Sequence, residues 1–110
     1  MKLLQERSHK TIENIPLSFP EPIEVVKTSS FTKSLNKNVD KQFHDSIEEY
    51  LKKLENPNSY NCDIEFIQSN KLKDKTYRYK FGNWRVFFLI SDDSKIFTLL
   101  YIERRKSKTY

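Results

Sequence analysis

Arg78, Lys80, Arg85, Arg104, Arg105, Lys106 and Lys108 crowd the last third of the chain, which closes on Tyr110, and Lys71 and Lys73 stand just ahead of it. Guanidinium and ammonium groups grip oxyanions through charge-assisted hydrogen bonds, arginine as a two-pronged fork and lysine as a point charge. Residues 71–110 hold 11 basic against 4 acidic side chains, a net of +7, whereas residues 1–70 hold 9 against 11, a net of −2. The whole positive excess therefore falls on one predicted sheet. Such asymmetry favours a polyanionic partner over a small metabolite.

The rest of the composition narrows the setting. At 110 residues the chain is expected to form one small domain, burying roughly two-thirds of its unfolded surface. Cys62 is the single cysteine, which excludes an internal disulfide and suits a reducing, cytoplasmic compartment. His9 and His44 lie far apart, so a metal site lacks ligands at workable spacing, and no cofactor motif is present. No apolar run approaches the ~20 residues that span a bilayer, and the N-terminus lacks the pattern of a secretory signal. A cytoplasmic domain with no membrane partner is expected.

Several elements must position the basic residues. Residues 1–22 read as an N-terminal arm or extension, because Pro16, Pro20 and Pro22 favour extended backbone; the domain proper spans 23–110. Ile23–Lys27 is strand-like by its β-branched content. Ser29 and Ser30 offer caps for a helix with Phe31, Leu35 and Val39 on one stripe. Asp40 is placed to cap a second helix, Lys41–Glu55, lined by Phe43, Ile47, Tyr50, Leu51 and Leu54 and stopped by Asn56-Pro57. Together they predict a helical hairpin.

Asp63–Gln68 is a weaker strand, and three firmer ones follow from Thr76. The only glycine, in Phe81-Gly82-Asn83, marks a tight turn with positive φ at Gly82 or Asn83; Asp92-Asp93-Ser94 marks the next. Alternation puts Arg78 and Lys80 on one side of their strand, away from Tyr77, Tyr79 and Phe81. It then groups Arg85, Phe87 and Leu89 against Trp84, Val86, Phe88 and Ile90. On the last strand Thr98, Leu100, Ile102 and Arg104 oppose Phe97, Leu99, Tyr101 and Glu103. The last two strands are apolar on both faces. One face suits the helical hairpin; the other requires the arm, a second copy or a partner.

This order of elements, with the residues in it, resembles the RelE/ParE superfamily of bacterial toxins from type II toxin–antitoxin pairs, over about Ile23 to Tyr110. The pieces that carry the resemblance are Phe31-Thr32-Lys33-Ser34-Leu35 and Lys71-Leu72-Lys73-Asp74. They continue with Tyr77-Arg78-Tyr79-Lys80-Phe81-Gly82-Asn83-Trp84-Arg85-Val86 and close with Glu103-Arg104-Arg105-Lys106 and Tyr110. The resemblance implies an α+β fold, an N-terminal strand and a helical hairpin packed on an antiparallel sheet. The RelE-like branch consists of ribosome-dependent messenger RNA endonucleases, while the ParE-like branch inhibits DNA gyrase. A tyrosine six residues after Arg104 favours the RelE-like branch. Glu103 is a departure, standing where many relatives have a histidine. A degenerate member that binds RNA or a partner without catalysis is the third alternative.

The RelE-like branch implies metal-independent cleavage, in which the RNA's own 2′-hydroxyl attacks the neighbouring phosphate. A base must take the 2′ proton, cations must hold the phosphorane, and an acid must protonate the leaving oxygen. The resemblance then implies Arg85 and Arg104 as phosphate clamps and Tyr110 as the base, with Lys73 or Arg78 assisting the transition state. Lys71, Lys80, Arg105, Lys106 and Lys108 would bind RNA. Its implied partners are the ribosome with its messenger RNA and a cognate antitoxin. Bland alternatives stand beside these roles: Arg85 paired with Glu65 or Asp63, the 104–108 cluster a nonspecific basic tail, Tyr110 a functionless terminus, and Trp84, Tyr77 and Tyr79 core aromatics rather than base-stacking ones.

Overall fold

A computed structural model describes residues 18–67 and 76–105. After strand β1 (Glu24–Lys27), helix α1 (Ser29–Asn38) starts one residue earlier than Ser29 or Ser30 as cap would allow. Thr28 is the cap: its backbone is extended, and its Oγ1 accepts from the Phe31 N–H at 3.0 Å. The same hydroxyl donates to the Leu99 carbonyl at 2.8 Å, so one threonine both starts the helix and ties it to the sheet.

The expected second helix is divided. Lys41–Phe43 is a 3₁₀ turn, and α2 proper spans His44–Lys53. Asp40 precedes the turn as foreseen but makes no side-chain capping bond. His44 Nε2 instead donates to the Val39 carbonyl at 2.9 Å, closing the connection between the helices. The chain then leaves α2 through Leu54 and reaches Pro57, as a proline stop requires.

Five strands make one sheet in the order β1-β5-β4-β3-β2, with β2 Asp63–Ile67, β3 Thr76–Phe81, β4 Trp84–Ile90 and β5 Ile96–Arg104. β2 to β5 form the expected antiparallel meander, and β1 adds parallel to β5, so the sheet is mixed. Gly82 takes φ +55 at the first central position of the β3–β4 hairpin, where a type II′ turn requires glycine. Ser94 at φ +63 closes the β4–β5 loop, in which Asp93 Oδ1 accepts from Ser91 Oγ at 2.7 Å and the Lys95 N–H at 3.0 Å.

The helical hairpin covers one face only. Phe31, Leu35 and Val39 from α1 and its end, with Ile47, Leu51 and Leu54 from α2 and its end, pack on Tyr79, Phe81, Val86, Phe88, Phe97, Leu99 and Ile102. Each such side chain, fully buried, contributes about 1.5–3 kcal/mol. Tyr79 Oη donates to the Tyr50 carbonyl at 3.0 Å, and the Tyr50 ring stacks on Phe81 at 4.6 Å between centroids. Burial, with Cys62 beside it, holds the Tyr79 phenol well above its ordinary pKa, so this hydroxyl is a structural donor. Phe43 stays outside the core against Trp84, with 6.3 Å between rings.

Residues 1–17 of the expected arm lie outside the described residues, but its last part packs onto the domain. Phe19 is buried edge-on against Phe97 at 5.3 Å. Its N–H donates to Asn58 Oδ1 at 3.1 Å, and Asn58 Nδ2 donates back to its carbonyl at 2.8 Å. The Glu21 carboxylate accepts from the Asn58 and Ser59 N–H groups at 2.6 and 3.0 Å, bonds that hold its pKa below the ordinary value. No helix among the described residues is long and apolar enough to cross a membrane.

Strict alternation fails in β5. Phe87 faces Tyr101, but Phe88 faces Leu99, so Leu100 is an extra residue in a β-bulge. The bulge turns the strand over: Ile102 is fully buried on the helix side, with Arg104 two residues on, while Tyr101 and Glu103 move to the opposite face. β1 ends its pairing at Leu99, and α1 takes over the exposed edge beyond it. Ser34 Oγ accepts from the Ile102 N–H at 2.9 Å, and Asn38 Nδ2 donates to the Ile102 carbonyl at 2.7 Å. Both groups that a neighbouring strand would have satisfied are thus satisfied by side chains.

Candidate nucleic-acid interface

The sheet face turned away from the helices collects the chemistry. Cross-strand register lines up Glu65, Arg78, Phe87 and Tyr101 in one row, and Asp63, Lys80, Arg85 and Glu103 in the next. Leu89 and Thr98 follow, with Val26 at the far strand. This face is therefore basic at its centre, acidic at its margins and apolar between.

Its cations are held differently. Arg78 Nη2 donates to Glu65 Oε2, and Lys80 Nζ lies 3.4 Å from Glu65 and 3.8 Å from Asp63. Partial burial raises the Glu65 pKa, but the hydrogen bond and charge of Arg78, with Lys80 behind it, outweigh that and leave it lowered. Among the described residues Arg85 has no acidic partner. Its Nη1 donates to the Gly82 and Trp84 carbonyls at 3.0 and 2.8 Å, within its own hairpin. Its Nε and Nη2 donors, the edge that grips a phosphate in two places, make no hydrogen bond or ion pair with a described residue. The structural pairing of Arg85 with Glu65 or Asp63 is absent, because Arg78 and Lys80 occupy those acids.

Arg104 lies across the sheet from Arg85. It pairs in register with Trp84, and its guanidinium sits 5.7 Å from the Trp84 ring centroid. The expected grouping of Thr98 with Ile102 and Arg104 on one face is thus corrected by the bulge: Thr98 shares the face of Arg85, and Arg104 stands on the opposite face at the same end of the sheet as Arg85. Arg105 is exposed beyond it, its N–H donating to the Asn83 carbonyl at 2.6 Å. Tyr79 is core, Tyr77 is half-buried against it, and Trp84 is partly exposed with Arg104 over it. Lys71, Lys73, Lys106, Lys108 and Tyr110 lie outside the described residues.

Glu103 was legible only as a departure from a resemblance. Its register partner is Arg85, and among the described residues it makes no ion pair or hydrogen bond. Nothing in the strand's alternation signals that placement, because Leu100 looks like any apolar strand residue. Among the described residues no three His, Cys, Asp or Glu side chains gather to hold a metal ion.

No protein-family model matches the sequence, and no curated protein does. Solved structures do. The chain is similar to the RelE–RelB complex from the archaeon Pyrococcus horikoshii OT3, with a TM-score of 0.58 and 19% identity over 79% of this chain and 99% of that one. It is equally similar to the toxin–antitoxin complex RelBE2 from Mycobacterium tuberculosis, with a TM-score of 0.58 and 17% identity over 76% and 99% of the two chains. The architecture is α+β with two helices on a five-stranded mixed sheet. It is the RelE fold.

Proposed function

We propose that the protein is the toxin of a type II toxin–antitoxin pair and acts as a metal-independent endoribonuclease on ribosome-bound messenger RNA. The observation that carries this is Arg85. On the basic face of a RelE fold, it alone among Arg78, Lys80 and Arg85 has no acidic partner among the described residues and keeps its phosphate-gripping edge free of hydrogen bonds to them. Arg85 clamps the scissile phosphate, and Arg104 holds the strand from the other side of the sheet end, with Trp84 beneath it. Lys80 and Arg78 supply the surrounding positive field. Lys71, Lys73, Arg105, Lys106 and Lys108 extend that field along the RNA, and Tyr110 closes the same basic tail.

The apolar residues Phe87, Leu89 and Tyr101 lie on the same face, with Tyr101 41% exposed. A cognate antitoxin laid over them covers the apolar surface and blocks Arg85 in one step. The test is induced expression followed by primer extension on translated messages. Cleavage within codons that is lost in Arg85→Ala, and not restored by Arg85→Lys, supports the proposal. Growth arrest with intact messages overturns it, and inhibited DNA supercoiling in that case identifies a gyrase-directed protein instead.

A further inference from the structure

Among the described residues three carboxylates stand in register with the cations of the open face, Glu24 lying apart on β1, and the three are not equivalent. Glu65 and Asp63 are consumed by Arg78 and Lys80. Glu103 is not: it faces Arg85 across β4 and β5 with no ion pair or hydrogen bond among the described residues. Side chains directly opposite one another in an antiparallel pair start about 4.5–5.5 Å apart at Cβ. Arg85 has turned its Nη1 back to the Gly82 and Trp84 carbonyls rather than across to Glu103. The bulge at Leu100 is what puts the two on one face; without it Glu103 would point toward the helices.

We infer that Glu103, in place of the Tyr110 that the resemblance implies, is the general base of the cleavage reaction, an assignment that rests on the nuclease reading above. A phosphate gripped by the open edge of Arg85 sits beside the Glu103 carboxylate, and so does the 2′-hydroxyl attached to the same linkage. The carboxylate takes the 2′ proton as the O2′–P bond forms and the P–O5′ bond breaks. The 5′ oxygen leaves with a proton from water, whose hydroxide takes the proton back from Glu103, giving a 2′,3′-cyclic phosphate and a 5′-hydroxyl. Neither histidine serves: His44 is bound to the Val39 carbonyl behind the sheet, and His9 lies outside the described residues. The division of labour is a cation that holds the phosphate next to a carboxylate that takes the proton, both presented by adjacent strands.

The experiment measures single-turnover cleavage of a ribosome-bound message by the full chain, from pH 5 to pH 9. Variants are Glu103→Gln and Glu103→His, each checked for unchanged thermal unfolding. General bases contribute about 10²–10⁴-fold, so Glu103→Gln should lose at least about 100-fold in the cleavage rate with its apparent affinity for the ribosome unchanged. Glu103→His should recover activity with the acidic limb of its pH profile moved toward the ordinary histidine range of about 6–7. A Glu103→Gln protein that cleaves at the wild-type rate overturns the assignment and leaves the nuclease reading intact. So does a Glu103→His profile identical to wild type. Wild-type protein that leaves the message whole overturns the nuclease reading itself, and the assignment with it.

Discussion

Replacing Ser34 with alanine isolates a contact that ties α1 to the edge of β5 just beyond its bulge. Ser34 is buried, and its hydroxyl accepts from the Ile102 N–H at 2.9 Å while donating to the Phe31 carbonyl at 2.8 Å. Alanine leaves the Ile102 N–H without an acceptor beneath a fully buried residue, a loss of about 1–3 kcal/mol. Alanine's better helix propensity returns roughly 0.5 kcal/mol. The net expectation is a destabilisation of about 1–2 kcal/mol, or a fall in Tm on the order of 5–10 °C for a domain of this size. Thr32→Ala, on the exposed side of the same helix, should stay within about 0.5 kcal/mol of wild type. Urea unfolding gives the difference as a lower midpoint at constant slope, and amide exchange at Ile102 should quicken selectively. Equal stability of the Ser34 and Thr32 variants, with Ile102 exchange unchanged, would refute the idea that α1 secures the strand edge.

Two further expectations concern stability. Because Glu65 has a lowered pKa in the folded protein, its pairing contributes stability above the unfolded carboxyl value near 4.5, and that contribution is lost as pH falls through the folded value. Glu65→Gln should therefore be less stable than wild type at pH 7 and converge with it below about pH 4.5, read as the gap between denaturation midpoints; a constant gap contradicts the pairing. Phe19→Ala removes a buried ring packed on Phe97 and should cost about 3 kcal/mol, seen by thermal unfolding. A loss under about 0.5 kcal/mol would mean that Ser18–Pro22 contributes nothing to the folded domain.

Much of the fold could be read from the chain because its signals are local. The stripe Phe31, Leu35, Val39, the proline stop at Pro57, the single glycine at Gly82 and the Asp93 turn each specify their element through chemistry within a few residues. The alternation of β3 and β4 likewise put Arg78 with Lys80 and set Arg85 with Phe87 and Leu89; the register of the two strands then joins these sets on one face. The parts that escaped depend on contacts between distant residues. Thr28 outcompetes Ser29 and Ser30 as cap because Leu99, far away in sequence, fixes its hydroxyl. Beyond the Leu100 bulge, Ser34 and Asn38 satisfy a strand edge that β1 does not reach, and no periodicity in β5 reveals the bulge or these bonds. That one residue separates Arg104 from Arg85 and brings Glu103 to it.

The strand order has a consequence for how the chain must assemble. β5 comes last of the described elements, yet it is an interior strand, gripped by Thr28 across 71 residues and by Ser34 across 68. The β2–β3–β4 meander can form from near neighbours, whereas β1 and α1 must wait for β5 before either finds its permanent surface. Loop-closure entropy makes such distant pairings slow. In pulse-labelled refolding the β3–β4 amides should gain protection before Leu99 and Ile102 do, so the face that presents Arg85 to Glu103 would be completed in the final step.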